Sequence, residues 1–478
     1  MKFTILSHAG LLVESSGTRL VVDPWLVGSC YWRSWWNYPA VPEFAKNIEE
    51  LDYIYLTHMH WDHFHGPSLD RLPKSATILI PKAHFRRMHA DASLFGFRDV
   101  VELPHGKQVT LKNGLTVASY QYGLFTDSVL AISDGKTTLL DMNDAKIRDR
   151  SFAQLTDAFP RVDFLFRSHS SASAYPFCVE FEEPESGIYR KREDYMSEFV
   201  DTARLLSVPH AIPFASSHCY LHRDTIKFNG IAVTPRDVHR YFDEHGPEGS
   251  ECVEMVAGDS WSDTSGFEIS DRDFFSNRAE IIEEYLAEYT PKLEAGYAQE
   301  DRAEVSFEAF REYFQAQVDS VPRLSRILFR ALVIFEVKNR TGAYWVIDFD
   351  RRTVYETNEL PEQYACKVTV PALVLRDCIE KHMFATFSAS KHLSILIKKG
   401  GHKDYLIFFQ LLDMFEYEYF PVRQLFRWRF ITVWLRRWRE LLEYAGLARR
   451  IVFRPKGSDP LDQFVAKIDR NTETGSGQ

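Results

Sequence analysis

The chain has 478 residues, 45% of them hydrophobic, and carries 57 lysines and arginines against 67 aspartates and glutamates, a formal net charge of -10. That length suggests roughly two or three domains with substantial cores, and the acidic balance argues against nucleic acid as a partner. No uninterrupted apolar run reaches membrane-spanning length, so no integral membrane segment is expected.

The tract Trp32-Arg33-Ser34-Trp35-Trp36-Asn37-Tyr38 is unusually aromatic. It reads either as an irregular loop packed on the fold or as a substrate wall in which Trp35 supplies a face and Arg33 meets a phosphate or carboxylate. Next, Asp52-Tyr53-Ile54-Tyr55-Leu56 reads as a buried strand. It delivers Thr57-His58-Met59-His60-Trp61-Asp62-His63-Phe64-His65-Gly66 to a loop. Seventeen histidines in the whole chain would put roughly 0.3 in an average eight-residue window, whereas four fall between 58 and 65, which points to a metal site. If the extended geometry persists, His58, His60 and Asp62 share one side and His63 points elsewhere. Two adjacent metals follow, one on His58 and His60, the other on Asp62 and His63. Imidazole and carboxylate together suit zinc, iron or manganese.

Further along, Thr137 to Leu140 and Val162 to Phe166 read as strands. The small-residue loop after the second holds Arg167, His169 and Tyr175 and makes a plausible substrate rim. From Asn277 the pattern turns helical and acidic, with Ile281-Ile282 and Leu286, then Phe307, Phe310 and Phe314, at helical spacing. Strands are then expected over 331–337, 343–349 and 353–356, with turns at 339–342 and 350–352, followed by a strand over 366–371 and a helix from Ala372 to Met383. This α+β stretch resembles a sterol-carrier-type domain, although a dimerisation or packing module would read the same way. The last helices carry arginines and tryptophans at 426–439, a combination that could bind a membrane surface, an anionic partner or nucleic acid, although packed helices whose arginines meet acidic patches are the favoured reading. The final eight residues read as a disordered tail.

The histidine run resembles the signature of the metallo-β-lactamase superfamily. Met1 to Glu14, then Thr18 to Trp25, is similar to that fold's opening of strand, Ser16-Gly17 turn, strand and buried aspartate. The resemblance implies that Asp23 braces the metal loop from behind; a turn residue before proline is the alternative. Asp23-Pro24-Trp25-Leu26, the aromatic tract, Met142-Asn143-Asp144-Ala145, and Pro213-Phe214-Ala215-Ser216 followed by His222 more narrowly resemble the lactamase-fold part of CMP-N-acetylneuraminate hydroxylase-like oxygenases, over roughly the first 275 residues.

That likeness implies a four-layer αββα fold over 1–275, and the residue patterns beyond it predict a helical connector over 276–325, the α+β domain with terminal helices over 326–455, and a tail over 456–478. It places Asp144 as the metal-bridging carboxylate, with Asp141 as the nearby competitor; a carboxylate can span two cations where a neutral histidine cannot. The superfamily's third histidine is missing from Tyr120 to Ser128. Asp127 could replace it with an oxygen donor, and His105 is an upstream alternative. The final ligand falls on His222 or His218, with His169 a third choice.

The hydroxylase likeness implies two irons, dioxygen chemistry on a small polar or sugar-like molecule, and an electron source. In the resembled hydroxylases the source is an attached Rieske domain with a Cys₂His₂ ligand set. The six cysteines here form no close pairs, so a separate ferredoxin or reductase is expected. A zinc phosphodiesterase-like hydrolase and a non-catalytic scaffold remain open readings, as does a homo-oligomer. The scattered cysteines, and a first strand without a basic-then-apolar leader, predict a cytoplasmic location.

Overall fold

Side-chain alternation along the strands decides the architecture. In Leu11–Ser15, Leu11 and Val13 face one way and Leu12 the other; in Tyr53–Tyr55, Ile54 and Tyr55 split likewise, and all are buried. Strands apolar on both faces require cover on both. The computed structural model describes all residues except 125–126, 184–190, 324–328, 339, 341 and 453–478, so the expected tail and part of the connector lie outside the described residues.

One sheet has eight strands in the order Gly266–Glu268, Ser260–Ser262, Lys2–Ile5, Leu11–Ser15, Thr18–Val22, Tyr53–Tyr55, Thr77–Pro81 and Asp99–Leu103. A second has seven: Glu251–Cys252, His210–Pro213, Phe164–Arg167, Thr138–Asn143, Asp127–Ser133, Thr116–Tyr122 and Gln108–Thr110. Phe3, Val13, Val22 and Tyr55 of the first pack against Leu130, Ile132, Phe164 and Phe166 of the second. Outside the first sheet, Leu12, Val21, Ile54 and Ile78 pack under Ala45, Leu69 and Met88 of short helices. On the far side of the second, Val129, Leu140 and Leu165 pack under Leu155, Phe199 and Phe242. These are the four layers, helices, sheet, sheet, helices.

The strand directions gather the chemistry at one edge. Thr18–Val22, Tyr53–Tyr55 and Thr77–Pro81 are mutually parallel, and Lys2–Ile5 runs the same way because two antiparallel steps separate it from Thr18–Val22. In the second sheet Thr138–Asn143, Phe164–Arg167 and His210–Pro213 are parallel. Carboxyl ends of parallel strands open into the crevice where such folds bind ligands. The two sets of ends meet there, with the Ala215 N–H donating to the His8 carbonyl at 2.9 Å. Asp23, Asn143 and Ala215, each just after or ending a strand, have φ of 44°, 37° and 47°. Left-handed backbone at non-glycine residues costs energy and clusters at functional sites.

The C-terminal part is built on a six-stranded sheet in the order Val179–Phe181, Ser394–Ile397, Cys366–Val370, Leu332–Val337, Tyr344–Asp348 and Thr353–Thr357. Its edge strand, Val179–Phe181, comes from the N-terminal part. Helices Phe307–Ser320, Ala372–Lys381 and His402–Glu416 cover it, and its core runs into Trp25, Tyr31 and Trp35 without a break. The terminal helices Trp428–Arg436 and Trp438–Val452 fold back on the sandwich, pairing Arg429 with Glu102 and Arg439 with Asp157. No helix among the described residues is long and apolar enough to cross a membrane.

At the junction of the two parts, the Lys391 ammonium is buried among the faces of Trp35, Tyr220 and Phe177, at 5.7, 5.6 and 6.0 Å, and donates to the Ala172 carbonyl at 2.8 Å. Burial pushes it down to about 8. Between pH 8 and the ordinary lysine value near 10.4, the unfolded chain keeps a proton that the folded chain has released, so stability should rise with pH across that window. Lys391→Met should abolish that rise. Urea titrations of both proteins from pH 7.5 to 10 should show the variant's advantage shrinking by about 2 kcal/mol, after allowing for lost cation–π attraction. A constant difference would refute this.

Candidate metal centre

The strand Tyr53–Tyr55 ends before the histidine run, and the chain does not stay extended. The His60 carbonyl accepts from the N–H groups of both His63 and Phe64, closing a turn. Sharp folding brings the run's side chains together from several directions. His58 Nε2 lies 2.8 Å from His60 Nδ1, and with Asp144 they form one group of ligand atoms all within 4.8 Å of one another. His8, Asp62 and His63 form a second. His63 Nε2 stands 3.3 Å from Asp62 and 3.4 Å from Asp144, so the two groups adjoin.

Hydrogen bonds set the histidine tautomers. The Thr57 hydroxyl donates to Asp23 Oδ2 at 2.6 Å, since a carboxylate only accepts; it therefore accepts from His58 Nδ1–H at 2.9 Å. His63 Nδ1–H donates to the same Asp23 oxygen at 2.6 Å. Both rings are thus held through Nδ1–H from behind and turn Nε2 into the site, the nitrogen that would take a metal on losing its proton. Burial, then repulsion from His63, pushes His58 down to about 4, which keeps it neutral. Burial also opposes charge on His63, but Asp62 and Asp23 outweigh it and hold this ring well above the ordinary range. The site accordingly draws positive charge to itself.

These residues fit two divalent ions. His63 Nε2 and Asp127 Oδ1 are buried without hydrogen bonds, and His8 Nε2, 3.0 Å from Asp62, is out of line for one. Tyr31 donates its hydroxyl proton to Asp62 Oδ1. Asp127 stands near His60 and Asp144, and burial chiefly pushes it up to about 6. Nitrogen and oxygen donors in this mixture suit zinc, iron or manganese.

The other expected residues fall at varying distances from this centre. His218 stacks on Trp35 with centroids 3.6 Å apart and lies 5.4 Å from His8, so it borders the second group. His169 is buried with neither ring nitrogen hydrogen-bonded, and burial followed by repulsion from His8 pushes it down to about 3. His222 is not brought to the cluster. Its Nδ1 accepts from the Asp224 N–H and its Nε2–H donates to Glu300 at 3.0 Å, which commits both nitrogens. Arg33, expected at a substrate rim, pairs with the same Glu300. Trp35 is 1% exposed and belongs to the core, which favours packing over a substrate wall. Arg167 pairs with Glu198, and Tyr175 stacks on His402. The alternatives are structural too: His105 accepts from the Gln121 N–H, and Asp141 from the Asn143 N–H. Sequence reasoning missed His8, Thr57 and Tyr31 as site residues. The signal for His8 was its place just past the first strand, at the edge where Asp23 and His58 also emerge.

A cavity of about 530 Å³ opens onto the centre. His60, Asp127 and Asp144 line one side and Ser168 and Ser170 another, with Lys146 and Arg148 adding positive charge. Gln410, Asp413 and Tyr417 of the C-terminal part close it. None of Arg33, Trp35, Arg167 or Tyr175 is among the described residues that line it.

A four-layer sandwich with metal-ligating groups at the carboxyl edge of its strands defines a protein of the metallo-β-lactamase fold. The family model described as a beta-lactamase superfamily domain matches residues 2–122. A Mycolicibacterium smegmatis protein provisionally named a Rieske 2Fe-2S iron-sulfur protein is 25% identical over 86% of this chain and 84% of its own length. The cytidine monophosphate-N-acetylneuraminic acid hydroxylase of Danio rerio is 36% identical over 15% of this chain and 12% of its own. The chain spans only 62% of a Mycobacterium tuberculosis protein provisionally named in the same Rieske terms. Among solved structures, an isothiocyanate hydrolase from Delia radicum gut bacteria is 17% identical, covering 55% of this chain and 99% of that one with a TM-score of 0.41. The diiron β-hydroxylase CmlA from Streptomyces venezuelae is 17% identical, covering 54% and 53% with a TM-score of 0.37.

Proposed function

We propose that the chain is a dinuclear iron enzyme that hydroxylates a small polar or sugar-like molecule, with electrons from a separate ferredoxin or reductase. The observation that carries this reading is the donor set: Asp62, Asp127 and Asp144 beside His58, His60 and His63, with a carboxylate where a histidine-rich zinc site would have another imidazole. The names of the relatives, Rieske iron-sulfur proteins and an amino-sugar hydroxylase, point the same way. Two irons so held supply dioxygen activation.

The chain's own groups have separable tasks. His58, His60 and Asp144 would hold one ion and His8, Asp62 and His63 the other, with Asp127 beside the first. Asp23 and Thr57 lock two histidine tautomers from behind. Ser168, Ser170 and Gln410 offer hydrogen bonds that orient a substrate, and the helix carrying Gln410 and Asp413 shields it from water.

Metal analysis of protein purified without added metal, followed by oxygen-electrode measurements with a reduced ferredoxin, tests this reading. About two irons per chain and reductant-dependent oxygen uptake are expected. Two zincs with phosphodiesterase turnover would replace it with the hydrolase reading. Unaltered biological activity after alanine replacement of both Asp62 and Asp144 would leave only a scaffold.

A further inference from the structure

We propose that the outward face of the two terminal helices is a docking surface for an anionic lipid bilayer. Of the fourteen large apolar side chains that are exposed among the described residues, eight lie between 422 and 442. Phe426, Trp428 and Trp438 are 75%, 76% and 52% exposed, and Ile431, Leu435 and Leu442 accompany them. At roughly 200 Å² per aromatic side chain, the three aromatics alone leave on the order of 400 Å² uncovered. A monomer's largest apolar patch is usually about 300–600 Å², and patches of this size mark interaction sites.

Helix geometry shows that this exposure is not a failure of packing. Within Trp428–Arg436, residues 428, 431 and 435 recur at helical spacing on the outer side, while Val433 and Trp434 are buried inward. In the next helix Trp438, Leu441 and Leu442 face out, whereas Glu440 and Glu443 turn in to bind Gly123 and Ser151. The first helix therefore has one apolar side that the sandwich covers and another that it does not, while the second turns charged Glu440 and Glu443 inward and leaves its apolar side out.

Charge identifies the occupant. The outer side carries exposed Arg423, Arg436 and Arg449, and Arg427 beside them pairs with Glu418 at 3.4 Å. The sole acidic residue from 422 to 442 is Glu440, which is buried. A chain of net charge -10 thus presents a local face that is cationic and aromatic together. Tryptophan and phenylalanine at the acyl boundary, with arginine beside anionic headgroups, are the two components of interfacial membrane binding. A second copy of the chain, docked face to face, would set these arginines against their own counterparts. The inner side of the same helix pair lines the cavity through Glu443 and Tyr444, so docking would bring that cavity close to the bilayer.

Full-length, metal-loaded protein should co-sediment with phosphatidylcholine vesicles containing one quarter phosphatidylglycerol, and tryptophan emission should shift to the blue. Pure phosphatidylcholine should bind at least about ten-fold more weakly, and added salt should release the protein. A W428S/W438S double variant should lose about ten-fold in partitioning, and R423Q/R436Q about five-fold per arginine, with circular dichroism and metal content unchanged. No difference between the two vesicle types, or binding that survives all four substitutions, overturns the proposal. So does a dimer by light scattering that these substitutions dissociate, since a second copy would then be the occupant.

Discussion

Alanine at Asp62 is expected to lower metal content from two ions per chain to one or fewer, and turnover by more than about 100-fold. The side chain is buried among His8, His63 and Tyr31, with its Oδ2 at 3.0 Å from His8 and 3.3 Å from His63. Without it, the second group would keep only the imidazoles of His8 and His63, with Asp144 3.4 Å from His63, to hold an ion. Asp23→Asn gives the contrast. Asparagine keeps the shape but can offer only one acceptor oxygen to a position that now receives the Thr57 N–H and hydroxyl and His63 Nδ1–H. A loss of about 10–100-fold in metal affinity is expected there, the usual cost of removing a partner behind a ligand. Metal analysis and metal-dependent thermal shifts distinguish the two. A D62A protein that still holds two ions would show that the ligand grouping is wrong.

Alanine at Arg437 is expected to cost about 3–5 kcal/mol of folding stability, enough to threaten the fold at growth temperature. Arg437 is 1% exposed and gives two hydrogen bonds to Glu440, at 2.8 and 2.9 Å, and one to the Gly123 carbonyl at 2.5 Å. Glu440 in turn accepts from the Gly123 N–H and the Tyr444 hydroxyl. Removing the cation leaves a buried carboxylate, which burial already pushes toward the protonated form, with no compensating charge. The double variant R437M/E440M should recover most of the loss, because well-packed apolar side chains avoid the desolvation cost of both charges. Urea denaturation of the three proteins measures this. Equal loss in the single and double variants would mean that shape, not charge, matters at this position. Gly123 and Leu124 also line the cavity, so the damage should reach the site.

The histidine run was legible because four metal-ligating side chains in eight residues are improbable without a metal. The later strands were legible for a different reason. Alternating apolar residues bounded by turn residues predicted strands over 331–337, 343–349 and 353–356, and the structure has Leu332–Val337, Tyr344–Asp348 and Thr353–Thr357. The three-residue strand Val179–Phe181 carried no such pattern, and its pairing with Ser394–Ile397 joins segments more than 200 residues apart. His222 matched a motif by its distance from Ser216, yet the helix Arg278–Glu300 delivers Glu300 to it and holds it away from the cluster. The aromatic tract was open to a substrate wall as well as to the packing that the sequence favoured. A strand pairing, Trp35–Asn37 with His218–Tyr220, buries Trp35 against His218.

By itself the sequence determined the donor chemistry and the strand that carries it, since residue type and local periodicity are properties of neighbours along the chain; the layered fold was implied by the resemblance of the histidine run and the opening strands to the metallo-β-lactamase superfamily. Tertiary structure alone decided which donors meet. The parallel ends of Lys2–Ile5, Thr18–Val22, Tyr53–Tyr55 and Thr138–Asn143 converge at one edge, so His8 joins Asp62 and His63, and Asp144 joins His58 and His60. It also decided that residues of the C-terminal part line the cavity, and that Trp428, Ile431, Leu435, Trp438, Leu441 and Leu442 of the terminal helices are left exposed. Ligand sets and buried faces depend on contacts between segments far apart in sequence, and the direction in which strands cross a sheet sets them.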